Sequence, residues 1–263
     1  VKEILQDLKG EQDALDAVVS RLDHNGWATK TLFENWTVQQ EIAHLAFFDY
    51  TARLSATDPD AFQNHAKGMA SGRDEVTALM GELQKAEPAD LLERWRKERA
   101  GLLEAMAPLG KKDRLPWYGP PMSAVSFATA RLMETWAHGQ DVVDVVDGDR
   151  PATDRLKHVA HLGNITFGWT FTVRQMDVPT VPIRVELTSP SGESWTWGPE
   201  DAEDLVRGSA EGFCLVVTQR RHYADTDLVA TGETAEKWMS MAQCFAGPPA
   251  TGPKAGTFPK MGG

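Results

Sequence analysis

SAVSFATARLMETWAHGQDVVDVV, residues 123–146, decides how the first half of this chain is organised. Its apolar residues recur at three- and four-residue steps, so it reads as one long helix that stops at Asp147-Gly148-Asp149. One stripe, Val125, Leu132, Trp136, Gly139, Val143 and Val146, is a packing face. A second stripe, Phe127, Arg131, Glu134, His138, Asp141 and Val145, is apolar at both ends and polar in the middle. Gly139 costs about 1 kcal/mol against alanine inside a helix. It implies either close helix packing or room left for a ligand.

Working outward, three more long helical patterns precede this one. Residues 2–23 are amphipathic, and residues 37–57 follow Thr37, a cap for which Gln40 completes the capping box. Residues 88–107 begin at Pro88, which suits a first helical turn. Asp58-Pro59 reads as the end of the second helix. The polar, Gly-containing segment after it, with His65, reads as loop up to one further helix starting near Arg73. Residues 109–123, rich in Gly and Pro, read as loop. Four main helices with one long connection imply a helix bundle over residues 1–150, with DGDRPATD (147–154) as the boundary.

Beyond residue 180 the period changes. VPIRVELTSP (181–190) alternates, Ser191-Gly192 is a turn, and ESWTWG (193–198) resumes a strand, giving a hairpin. A helix near residues 200–208, a short strand at 227–232 and a helix at 234–245 complete a small α+β domain over residues 151–247. Residues 248–263 are too rich in Gly and Pro for a regular element and read as a flexible tail. The fold class is therefore α+β.

Net charge is −11, from 27 basic and 38 acidic residues, which argues against nucleic acid or an anionic membrane as partner. No apolar run approaches a membrane span, and the charged opening VKEILQDLKGEQD is unlike a signal peptide. The expected compartment is the cytoplasm. There Cys214 and Cys244 are free thiols, read as small buried hydrophobes.

Glu134 and His138, four residues apart, meet at one point on the helix surface and can share a metal ion. By spacing alone an exposed Glu–His pair is the favoured explanation. His44 changes the balance, because it stands among Ile42, Ala43, Leu45, Ala46 and Phe47 on an apolar helix. An inward histidine facing Glu-x-x-x-His makes a three-donor site with a position left open for water or substrate. Of the remaining histidines, His24, His65, His158 and His161 read as structural or surface residues, and His222 is the most open to a substrate role.

The pattern W-T-V-x-x-x-I-A-H-L-A-x-x-D (36–49), followed downstream by E-T-W-A-H-G-Q-D (134–141), resembles the DinB-like metal-binding family. It is most similar to the branch of mycothiol-dependent maleylpyruvate isomerases and related actinobacterial metal-binding proteins. The resemblance implies a DinB-like four-helix bundle followed by a small SCP2-like α/β domain. It implies an open divalent metal site, most often zinc, on His44, Glu134 and His138. Asp141 matches a recurrent acid of that branch, in a supporting role next to His138. A low-molecular-weight thiol, mycothiol, is the implied co-substrate, and an arginine of the second domain helps to hold substrate. Arg220, Arg221 and His222 are the nearest candidates here for cofactor or substrate contacts. A homodimer is a family-level expectation.

Three functions follow. The first is a metal-dependent thiol transferase or isomerase acting on a small electrophile. The second is a metal-dependent hydrolase or cyclase that uses no thiol. The third is a non-catalytic protein that binds metal and a small ligand.

Overall fold

The computed structural model describes residues 1–72 and 74–261. The helix start expected near Arg73 falls on a residue outside them. Contacts divide the chain into two units, Val1–Arg150 and Pro151–Gly263.

The first unit contains helices α1 (Lys2–Val19), α2 (His24–Ala28), α3 (Val38–Thr57), α4 (Pro59–Ala70), α5 (Asp74–Lys85), α6 (Pro88–Met106) and α7 (Ala124–Val143). A two-stranded hairpin, β1 (Arg114–Leu115) with β2 (Met122–Ser123), precedes α7. It lies in the stretch expected to be only loop. The long helices pack on one another, α3 against α6 and α7, and α1 against α7. The core between them includes Leu15, Val19, Val38, Ile42, Leu45, Phe47, Leu91, Trp95 and Val142.

The position of α3 matters most for the site. Apolar residues surround its axis, so it is covered by neighbours on several sides. Its polar residues Glu41 and Asp49 are thereby carried into the interior and are fully buried. The helix starts where Thr37 accepts a hydrogen bond from the Gln40 amide, while Gln40 Oε1 accepts from the Thr37 amide. Such a cap is worth about 1 kcal/mol.

Asp58-Pro59 does more than end α3. Asp58 caps the next helix through the Ala61 amide at 3.0 Å, and Pro59 occupies its first turn. The loop expected there is therefore helix α4, and His65 lies on it rather than in a polar loop.

The second unit holds α8 (Leu156–Ile165), α9 (Phe167–Thr172), β3 (Ile183–Thr188), β4 (Ser194–Trp197), β5 (Asp204–Ser209), α10 (Ala210–Val217), β6 (Val229–Thr231) and α11 (Glu233–Met239). Its strand order is β4-β3-β5-β6. β3 and β4 form the expected antiparallel hairpin. β5 corrects the helix expected at residues 200–208. It pairs in parallel with β3 from Ile183↔Asp204 to Thr188↔Ser209 and antiparallel with β6, and Val206 is buried between. Two ladders outweigh the helical preference of the acidic segment before it. The described part of the Gly/Pro-rich tail has no helix or strand but is tied to its own unit. The Gly256 amide donates to Asp225 at 2.7 Å, and Phe258 lies under the Arg221 guanidinium. No helix among the described residues is long and apolar enough to cross a membrane.

Candidate metal centre

α3 and α7 pack directly on each other, and their facing polar residues meet. His44 Nε2 lies 3.4 Å from Glu134 Oε2, and His138 Nε2 lies 3.2 Å from the same oxygen. The two imidazole rings are 4.3 Å apart, centre to centre. Each of the three side chains thus offers one donor atom to a group spanning no more than 4.8 Å. With metal–ligand bonds near 2.0–2.1 Å, the edge of a tetrahedral site is about 3.3 Å. The observed separations fit that edge.

The electrostatics suit a cation. Burial and the neighbouring His138 push the His44 imidazole down to about 4, against the pull of Glu134. At neutral pH it is an unprotonated donor. Burial works against ionising Glu134, but hydrogen bonds and charge from His138 and His44 outweigh it and hold the carboxyl well below the usual range. His138 is almost fully enclosed, whereas His44 and Glu134 keep 18% and 26% of their side chains exposed. The cluster is therefore reachable from one side.

A collar of rings borders it. Trp36 stands 5.5 Å from His44 and stacks on His138 at 6.0 Å, Phe33 meets His138 edge-on at 5.4 Å, and Phe48 lies 4.6 Å from His44. Sequence reasoning missed this collar. Trp36, directly before the Thr37 cap, was the available signal.

A second donor group, Glu41, His138 and Asp141, is fully buried behind the first and shares His138. Asp141 Oδ2 lies 3.5 Å from His138 Nδ1, but Glu41 Oε2 is nearer at 2.7 Å. Asp141 lies beside His138, and Glu41 lies nearer still. Glu41 precedes His44 by three residues, so the two share a face of α3.

Gly139 also has an explanation. A Cβ there would collide with the guanidinium of Arg150, whose buried side chain bonds Glu11 and the Trp136 carbonyl. The glycine makes room for an arginine, not for a ligand.

The other candidates lie in the second unit. Arg220 is buried and donates to the Thr218 carbonyl at 2.8 Å. Arg221 donates to the Arg220 carbonyl and covers the Phe258 ring at 3.5 Å. His222 Nδ1 accepts from the Ala224 amide and caps the short 3-10 turn at residues 223–225. Cys214 and Cys244 are buried free thiols, and burial pushes the Cys214 thiol up.

Comparison with known proteins covers nearly the whole chain. The model of the mycothiol maleylpyruvate isomerase N-terminal domain matches residues 8–143. A model described as wyosine base formation matches residues 179–231. An uncharacterized protein of Mycobacterium tuberculosis, from strains H37Rv and CDC 1551, is 45% identical over 247 residues, covering 94% of this chain and 96% of its own. Among solved structures, a mycothiol-dependent maleylpyruvate isomerase superposes with a TM-score of 0.57 at 19% identity, over 89% of this chain and 93% of that one. A histidine-to-alanine mutant of that isomerase, also 89% and 93% covered, gives 0.56 at 18%. At that identity the structural match speaks for the fold.

Proposed function

Since the chain belongs to the mycothiol maleylpyruvate isomerase family through its N-terminal domain, we propose that it is a divalent-metal-dependent enzyme using mycothiol. It transfers that thiol to a small electrophilic substrate or isomerises the substrate by way of it. The observation that carries this reading is the convergence of His44 Nε2 and His138 Nε2 on Glu134 Oε2 at tetrahedral-edge distances.

His44, Glu134 and His138 would hold the ion, two neutral nitrogens and one carboxylate, with zinc the best match to that donor set. Bound there, zinc supplies a Lewis acid that stabilises a thiolate at neutral pH. The protein does the rest. His44 stays unprotonated because burial disfavours its cation. Asp141, buried beside His138, adds negative charge behind the ligand. The exposed edges of His44 and Glu134 leave an approach for thiol and substrate. Trp36 and Phe48 flank that approach with apolar surface and keep water from the reacting atoms.

The same reading takes residues 1–150 as the metal-binding four-helix bundle, formed by α1, α3, α6 and α7, and residues 151–247 as the SCP2-like domain. Zinc-loaded protein is assayed with maleylpyruvate and a panel of electrophiles, with and without mycothiol. Thiol-dependent turnover that Glu134→Ala abolishes is the expected result. Turnover indifferent to thiol would replace this reading with a hydrolase or cyclase.

A further inference from the structure

We infer that Glu41 is a positioning residue for the metal centre, holding His138 in the tautomer that presents Nε2 to the other donors. The inference rests on the metal reading of His44, Glu134 and His138 proposed above.

The two ring nitrogens of His138 face different partners. Nδ1 is 2.7 Å from Glu41 Oε2, and Nε2 is 3.2 Å from Glu134 Oε2. A neutral imidazole carries one proton, so one nitrogen donates and the other accepts. Nδ1 keeps that proton and donates it to the close carboxylate in a charge-assisted hydrogen bond. Asp141, at 3.5 Å, is the weaker neighbour. Nε2 is the nitrogen turned toward the donor cluster.

Glu41 is itself held. Its Oε1 accepts from Thr31 Oγ1 at 2.7 Å. Thr31, Glu41 and His138 are exposed by 1%, 0% and 4%, so water does not compete for these bonds. Cut off from water, the buried carboxylate depends on these partners for its compensation. A cation on the far side of the imidazole compensates it through the ring and makes the nitrogen a better ligand. Thr31 lies next to the Lys30↔Thr37 bridge, in the segment that also carries Phe33 and Trp36. One loop therefore anchors the relay and packs rings on the histidine it orients.

The test uses the full chain and its Glu41→Leu and Thr31→Val variants. Zinc affinity is read by competition with a chromophoric chelator, and the His138 tautomer by long-range nitrogen NMR on the metal-free protein. Glu41→Leu is expected to bind zinc about 10- to 100-fold more weakly and to gain the Nε2-protonated tautomer. Thr31→Val should shift both in the same direction by less. If Glu41→Leu does not fold, Thr31→Val decides, and wild-type affinity and tautomer in it overturn the inference. Unchanged affinity in Glu41→Leu, or lost affinity with an unchanged tautomer, overturns this inference and leaves the metal reading intact. A wild-type chain that takes up no zinc overturns the metal reading, and this role with it.

Discussion

The α3–α7 seam carries two polar clusters, five residues apart on one helix and three on the other, and they are built in opposite ways. Around Asp49 both carboxylate oxygens meet donors. Oδ1 accepts from Arg131 Nε and Nη2 at 3.0 and 2.9 Å, and Oδ2 from Trp95 and Gln12 at 3.1 and 3.4 Å. Around Glu134 the ion-pair partners among the described residues are His44 and His138, and burial disfavours the charged form of His44. In the first cluster, protein donors answer both carboxylate oxygens of Asp49. The second gathers donor atoms on one point, the arrangement that the proposed metal ion would complete. Burial of charge is common to both, so burial by itself does not mark a site. The balance of donors and acceptors does.

Substitutions break that contrast in order of effect. His44→Ala with His138→Ala should take the metal content from about one ion per chain to none, measured by elemental analysis, since chelation needs these donors together. Asp49→Ala should leave the donor triad in place but strand Arg131, whose side chain is 4% exposed. The expected loss is about 3–5 kcal/mol of unfolding free energy in a denaturant titration. Gly139→Ala touches neither cluster directly. It should push Arg150 off Glu11 and Trp136 and destabilise by about 1–3 kcal/mol, despite alanine's better helix propensity.

A further test sharpens the contrast through pH. His44 is pushed from 6.5 down to about 4, so between those values the unfolded chain binds a proton that the metal-free folded chain refuses. Its contribution to stability is present above pH 6.5 and is lost as pH falls toward about 4. Wild type should therefore lose more of its denaturation midpoint across that window than His44→Asn does.

What was legible in sequence was local. The stripe through Glu134 and His138, the Thr37 cap and the apolar setting of His44 all follow from helical spacing and capping chemistry. Glu41 was not singled out, because its role depends on where α7 sits against α3. A single clue existed, an acid three residues before His44 on a helix otherwise buried. β5 was misread for a related reason, since parallel pairing with β3 joins segments with β4 between them. Asp58-Pro59 was read as a stop when it was a stop and a start, the same two residues serving both helices. Gly139 was ambiguous until Arg150, eleven residues on, was seen to fill its space.

The central claim is that Glu134 and the two histidines converge on a metal ion. Calorimetric titration of zinc into chelator-stripped protein tests it most directly, with wild type and Glu134→Ala measured side by side. The account predicts one tight site per chain in wild type and its loss in Glu134→Ala, with both proteins folded. No zinc uptake by wild type, or equal uptake by Glu134→Ala, would contradict it.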